Sequence, residues 1–270
     1  MIPKIIHLCW LSGDMFPNDI QKCIESWKYH LPDYEIWLWG KLPKDDYYIK
    51  VLNIKEVTFD INSTLWTKQA FENRKYAFAA DYIRLYALYH YGGIYLDSDI
   101  IVYKSFNDLL DLPYFIGQAY ERQFEPAVIG CEKGLKWIKD IINHYNNRSF
   151  IKKDETFDML SLPKVFYYEL KDKYQFYRLH KKQKYEFNKE LLYVFDQDFF
   201  NSRNAIDIRK TSKSYCAHNY AGSWVKKDVS FKSKLKDLIP SKLLNILLEL
   251  SHSTINKKRI RCFEPPFINK

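Results

Sequence analysis

The chain has 270 residues and is 47% hydrophobic, which is enough apolar surface for the core of one large domain or two small ones. Its 8 Gly and 10 Pro exclude a collagen-like or disordered chain, and the longest apolar runs fall short of the about 20 residues that a membrane span needs. The net charge of +9 is uneven, because residues 225–270 hold 11 Lys or Arg against 4 Asp or Glu. The main body is therefore nearly neutral, which argues against a basic nucleic-acid groove there.

The first forty residues predict a β-α-β unit, the building block of a parallel sheet. Residues 4–10 form an apolar strand, and residues 19–30 carry apolar side chains at helical spacing with Asn18 as a cap. Residues 34–39 alternate as a second strand. The opening segment is too polar for a signal peptide and the five cysteines are scattered, so we expect a protein that is cytosolic or lies on the cytosolic face of a membrane.

The longest predicted helix covers residues 71–91 and ends at Gly92-Gly93, and a short strand follows at 94–96. The later elements are less regular: residues 171–189 predict a helix followed by loops. The remaining predictions are a helix at 135–145 and strands at 100–103, 114–117, 127–130, 191–195 and 214–218. This order favours one α/β domain over residues 1–224.

Two carboxylates, Asp97 and Asp99, follow the strand that ends at residue 96. Loops at the carboxyl ends of parallel strands are where open α/β sheets bind ligands. Hard carboxylate oxygens suit Mg²⁺ or Mn²⁺, which are often shared with substrate phosphates. The same spacing recurs at Asp196 and Asp198, which we interpret as a loop with solvated charges.

The context of Asp97 and Asp99 distinguishes them from a chance spacing. Upstream, Asp81 and Arg84 share one face of the predicted helix. The pair Gly92-Gly93 would allow a ligand to approach the backbone closely.

Four motifs in order resemble the glycosyltransferases with a "sugar-binding region containing DXD motif". They are Ile2-Pro3-Lys4-Ile5-Ile6-His7-x-x-Trp10, Asp81-x-x-Arg84, Gly92-Gly93-x-Tyr95-x-Asp97-x-Asp99 and His218-x-x-x-x-Ser223-Trp224. This resemblance to glycosyltransferase family 32, its capsule and lipopolysaccharide relatives and the clostridial toxin glucosyltransferases covers residues 1–224. It implies a GT-A fold, with a Rossmann-like, mainly parallel sheet flanked by helices.

On the donor side, the resemblance implies roles for four residues. Trp10 would stack on the nucleotide base, and Tyr95 would line the donor pocket. Asp81 would accept hydrogen bonds from sugar hydroxyls, while Arg84 would donate to sugar or phosphate oxygens. His7, which belongs to the first motif, is interpreted as structural.

On the metal side, the resemblance implies an Mn²⁺ or Mg²⁺ ion. Asp99 would bind it directly, Asp97 would touch the ribose or sugar and reach the metal through water, and His218 would be a further ligand. Ser223 and Trp224 would close over the diphosphate. Asp81, Arg84, Asp97 and Asp99 form the predicted catalytic set.

The implied reaction transfers a sugar with retention from a nucleotide-sugar donor, UDP-linked in preference to GDP-linked, to a surface-polysaccharide or lipopolysaccharide acceptor. A toxin-like enzyme that modifies a protein and a non-catalytic nucleotide-sugar-binding protein are the alternatives. The sequence departs from the family pattern at one position, where many relatives place an Asn over the donor sugar. Here that window contains Gln123, Glu125 and Pro126, so the choice between double displacement and a front-face mechanism stays open.

The tail, residues 225–270, combines a leucine-rich stripe with clustered lysines. It predicts basic amphipathic helices that bind an anionic membrane surface through residues 226–261. The enzyme would then act at the inner face of the cell membrane on a glycan or lipid-linked glycan acceptor, without a nucleic-acid partner. A helix docked on the catalytic domain or a dimer contact is the alternative.

Overall fold

The computed structural model describes residues 1–45, 47–119, 123–201, 210–219 and 267–268. Within these residues, strands and α-helices alternate for much of the chain. In chain order they are β1 Ile5–Trp10, α1 Asn18–His30, β2 Glu35–Gly40, β3 Ile54–Val57, α2 Leu65–Glu72, α3 Tyr76–Tyr91, β4 Gly93–Leu96, β5 Ile100–Val102, β6 Tyr114–Gln118, β7 Phe124–Cys131, α4 Lys136–Ile142, α5 Leu162–Leu170, β8 Gln175–Leu179, β9 Leu191–Phe195, α6 Gln197–Phe200, β10 Cys216–His218 and β11 Phe267–Ile268.

In the described part of the chain, nine strands form one sheet in the order β11-β8-β9-β6-β7-β4-β1-β2-β3. All neighbouring strands are parallel except where β7 pairs with β6 and β4. The predicted α/β class with a mainly parallel sheet is therefore confirmed. The predicted β-α-β unit is also confirmed, since β1 and β2 are parallel on either side of α1 in the chain.

Helices cover both faces of the sheet. In β4, Ile94 and Leu96 join one hydrophobic cluster and Tyr95 joins another, as expected for side chains that alternate between faces. Trp27 of α1 lies in the first cluster and Trp137 of α4 in the second. Strands covered on both faces are shielded from water, and β4 and β7 are accordingly buried throughout, Glu125 included.

The helix predicted over residues 71–91 is two helices, α2 and α3. The chain leaves helical geometry at Arg74, whose φ of 54° lies in the left-handed region. The indole of Trp66 in α2 donates a 2.8 Å hydrogen bond to the carbonyl oxygen of Phe78 in α3, which ties the two together. Apolar periodicity continues across this break, so the pattern alone suggested one helix. The predicted cap of α1 is also wrong, because Asn18 is the first helical residue.

The prediction of a helix within residues 171–189 is wrong. Residues Gln175–Leu179 instead form β8, which pairs in parallel with β9. A segment rich in Lys and Tyr shows little hydrophobic periodicity, so its conformation depends on the strand with which it pairs. The predicted loop at residues 196–198 is likewise the start of the short helix α6.

Of the tail predicted to form basic amphipathic helices, residues 225–270, all but residues 267 and 268 lie outside the described residues. At the end of the tail, Phe267–Ile268 form β11, which lies parallel to β8 at one edge of the sheet.

Among the helices of the described part of the chain, none combines the length and the apolar character of a membrane span.

Candidate active site

The candidate site lies where two adjacent parallel strands end. Strands β1 and β4 pair in parallel, so Trp10 at the end of β1 and Asp97 just after β4 come from the same edge of the sheet. The amide of Asp97 donates to the carbonyl oxygen of Ala127 at 2.9 Å, and the amide of Ile100 donates to the carbonyl oxygen of Asp97 at 3.0 Å. These bonds turn the chain between Asp97 and Asp99, as two carboxylates that share one ion require.

Arg84 is the buried cation of the site. Its Nη2 lies 3.1 Å from Oδ1 of Asp81 and 3.2 Å from Oδ1 of Asp97, and its Nη1 donates to the carbonyl oxygen of Pro126 at 2.9 Å. The guanidinium also lies over the ring of Tyr95, 4.5 Å from its centroid. Helix α3 therefore presents Asp81 and Arg84 to the loop that follows β4, as the sequence predicts.

Asp81 and Arg84 interact strongly because both side chains are largely buried, whereas Asp97 is partly exposed. Burial raises the pKa of Asp81 to about 7, with the charge of Asp97 acting in the same direction and Arg84 opposing both. Burial disfavours the charged form of Arg84, but the carboxylates of Asp97 and Asp81 outweigh it and hold the guanidinium pKa above its usual value. Arg84 thus stays charged and neutralises part of the acidic cluster.

A separate two-stranded ribbon brings His218 to the same place. Strand β10 pairs with β5 in antiparallel fashion, with His218 opposite Ile100, and the amide of Asn219 donates to the carbonyl oxygen of Asp99 at 3.0 Å. As a result, Nε2 of His218 lies 3.2 Å from Oδ1 of Asp99. The distant motif is thereby joined to the aspartate loop.

Asp97, Asp99 and His218 could together hold a metal ion. Each offers one ligand atom, and these atoms all lie within 4.8 Å of one another. Two carboxylates and an imidazole are hard to borderline donors that fit Mn²⁺, and carboxylates alone would suit Mg²⁺. The donor set therefore fits the ion that the sequence predicts.

Glu125 is a further acidic residue whose position the sequence did not reveal. Its side chain is buried, and its Oε1 lies 3.5 Å from Nδ1 of His218, on the side away from Asp99. Burial opposes a charged His218, but Glu125 and the contacts with Asp99 outweigh it and raise the pKa of this imidazole to about 10. The only sequence signal was the departure at this window, which did not indicate a contact with residue 218.

Of the remaining predicted residues, Tyr95 and Trp10 lie within the described part of the chain. The hydroxyl of Tyr95 donates to Oδ1 of Asp97 at 2.8 Å, so this buried ring supports the loop. Trp10 is half-buried against Phe16 at the edge of the sheet, and its indole donates to the carbonyl oxygen of Asp14 at 2.8 Å. Ser223 and Trp224 lie outside the described residues.

Two sequence interpretations change. Gly92 and Gly93 do not leave room for a ligand, because a Cβ on Gly93 would lie 2.7 Å from the carbonyl oxygen of Ile5. Asp196 is not freely solvated, since its Oδ2 lies 2.6 Å from Nδ1 of His180. The glycines are required by close packing of the backbone, and Asp196 also pairs with Arg178, whose Nε lies 3.7 Å from its Oδ1.

Part of the chain matches the model of a known family. Residues 17–116 match the family described as "Glycosyltransferase sugar-binding region containing DXD motif". The match includes Asp81, Arg84, Asp97 and Asp99, and over residues 17–116 it confirms the predicted resemblance to the DXD-motif glycosyltransferases.

Similar proteins include "Mannosyl phosphorylinositol ceramide synthase SUR1" of Saccharomyces cerevisiae, 32% identical over 162 residues, which are 56% of this chain and 37% of that protein. "Subversion of eukaryotic traffic protein A" of Legionella pneumophila is 28% identical over 57% of this chain and 26% of its own length. Among solved structures, "PaToxG Glycosyltransferase" aligns with a TM-score of 0.48 and 22% identity, over 63% of this chain and 68% of that one. The chain spans less than two fifths of the length of the first curated relatives.

Proposed function

We propose that this chain is a metal-dependent, retaining glycosyltransferase of the GT-A type that uses a nucleotide-sugar donor. The observation that carries the proposal is the meeting of Asp97, Asp99 and His218 beside the buried Asp81–Arg84 pair. A family match over residues 17–116 supports sugar transfer as the class of reaction. Retention and a UDP-linked donor follow from the resemblance and are part of the proposal.

Each residue has a role that follows from its position. Asp99 and His218 would bind the ion directly, because their side chains face each other at 3.2 Å. Asp97 has one oxygen engaged by Arg84 and Tyr95, so it would contribute through its other oxygen or through water.

Departure of the nucleoside diphosphate places negative charge on phosphate oxygens. A bound divalent cation would stabilise that charge as a Lewis acid. Arg84 holds the aspartate loop in place through its contact with Asp97. Asp81, whose pKa is about 7, would hydrogen-bond a donor-sugar hydroxyl. Trp10, at the same sheet edge, would stack on the base.

The test is slow donor hydrolysis without acceptor, measured over a panel of UDP- and GDP-sugars with Mn²⁺. We expect one donor to be hydrolysed and the activity to vanish in EDTA and return with Mn²⁺. Asp196→Ala and Asp198→Ala are matched controls with the same carboxylate spacing outside the site, and both should leave metal dependence unchanged. Full turnover with metal verified absent would contradict the metal assignment.

The acceptor is proposed to be a glycan or lipid-linked glycan of a surface polysaccharide or lipopolysaccharide, met at the inner face of the cell membrane. Relatives whose names specify inositol phosphoceramide mannosyltransferases support a lipid-borne acceptor. The basic residues 226–261 would then bind anionic lipid. Sedimentation with acidic and neutral vesicles at low salt tests this, and equal recovery with both would refute membrane binding while leaving the transferase proposal intact.

A further inference from the structure

Glu125 is held in a fixed position beside the candidate metal site. Its Oε2 accepts a hydrogen bond from the side-chain amide of Asn201, and its Oε1 accepts one from the amide of Ala127 at 3.3 Å. Both Glu125 and Asn201 are buried. The carboxylate is therefore oriented by two donors of the fold, and its Oε1 also lies 3.5 Å from Nδ1 of His218.

His218 consequently lies between two carboxylates, with Glu125 on its Nδ1 side and Asp99 on its Nε2 side. An imidazole that binds a metal through one nitrogen carries its proton on the other, where a carboxylate commonly accepts it and fixes the ring orientation. Glu125 is in the place of that acceptor. A buried carboxyl group needs polar partners, and His218 lies beside Glu125 in addition to Asn201 and the amide of Ala127.

We propose that Glu125 is a positioning residue that acts through His218, holding its Nδ1–H so that Nε2 points at the metal shared with Asp99. The proposal rests on the proposed metal-dependent function and assigns a role to a residue that the sequence left open. It differs from a direct role on the donor sugar, which would act on the donor and leave metal affinity unchanged.

The test measures Mn²⁺ affinity of the full chain by calorimetry, without donor or acceptor. Glu125→Ala should weaken Mn²⁺ binding about 10- to 100-fold, the usual range for loss of such a supporting contact. Glu125→Gln, which keeps an acceptor oxygen of similar size, should recover much of that loss. Glu169→Gln is the matched control, because Glu169 accepts from Nδ1 of His144 at 2.8 Å and neither residue belongs to the metal cluster, so it should leave Mn²⁺ affinity unchanged.

A double-mutant cycle separates action through His218 from a general effect on folding. In a His218→Ala background, the further change Glu125→Ala should have little effect on Mn²⁺ affinity, because the group that it positions is gone. Pulsed EPR should detect the ¹⁴N coupling of a bound imidazole in the parent protein and in Glu169→Gln. That coupling should weaken in Glu125→Ala.

Three results would overturn the inference, and they are distinguishable from one another. If Glu125→Ala and Glu125→Gln bind Mn²⁺ as the parent does, with the ¹⁴N coupling intact, Glu125 does not position His218, and metal dependence stands. If the parent itself shows neither Mn²⁺ binding nor metal-dependent donor hydrolysis, the proposed function fails together with this role. If Glu125→Ala weakens Mn²⁺ binding equally in the parent and in the His218→Ala background, Glu125 does not act through His218 and the inference is refuted.

Discussion

His7 links the first strand to the end of helix α3 and provides a pH-dependent test of the fold. Its side chain is fully buried. Its Nε2–H donates to the carbonyl oxygen of Gly92 at 2.7 Å, and its Nδ1 accepts from the indole of Trp39 at 3.0 Å. Since Nδ1 is an acceptor here, protonation would break that bond. Burial lowers the pKa of His7 to about 4, and the hydrogen bond to Gly92 acts in the opposite direction.

We expect this histidine to make the protein less stable in mild acid. An unfolded chain takes up the proton near pH 6.5, whereas the folded protein resists it until about pH 4. The contribution is thus fully present above pH 6.5 and is lost as the pH falls from 6.5 towards 4. A tenfold change in proton affinity is about 1.4 kcal/mol, so the loss amounts to roughly 3 kcal/mol of unfolding free energy.

Urea unfolding at intervals between pH 7.5 and 4.5 measures this, and His7→Gln isolates the residue. Glutamine can donate and accept but does not titrate, so its stability should fall less steeply than that of the parent. The difference between the two proteins should change by about 2 kcal/mol between pH 6.5 and 5, at about 1.4 kcal/mol per pH unit. A difference that stays constant over this range would refute the assignment of a buried, neutral His7.

Three further predictions concern the site and its framework. Arg84→Met should lower the unfolding free energy by about 3–5 kcal/mol in urea titrations, because it leaves buried carboxylates without their cation. Gly93→Ala should destabilise more than Gly134→Ala in thermal unfolding: both have positive φ, but the first would clash with backbone and the second has open space around it. Asp99→Asn should reduce donor hydrolysis by about 10²–10³-fold and more than Asp97→Asn does, because Asp99 is assigned the direct metal contact. Equal rates for the two aspartate variants would contradict that assignment.

Patterns among neighbouring residues in the sequence were sufficient to predict many of the helices and strands. The strand predicted at 191–195 has the same bounds as β9, and the predicted helix at 19–30 differs from α1 by one residue. Gly92 ends α3 as predicted, with a φ of 67°. Apolar periodicity and glycine punctuation act within a few residues of one another, which is why these features could be inferred locally.

The aspartate loop was predictable for the same reason. Asp97 and Asp99 directly follow a short apolar strand, and Asp81 and Arg84 are one helical turn apart, so each motif is local. The sequence by itself named most of the candidate residues that the structure brings together at this site. It also favoured this pair over Asp196 and Asp198, which lie on another part of the sheet at the end of β9.

Only the tertiary structure decided how distant segments meet. His218 reaches Asp99 because β10 pairs with β5, and Glu125 reaches His218 because β7 runs antiparallel beside β4. Likewise, residues 175–179 form a strand because β9 lies next to them. Strand pairing depends on partners far apart in the chain, so a single sequence names these residues without showing which of them come into contact.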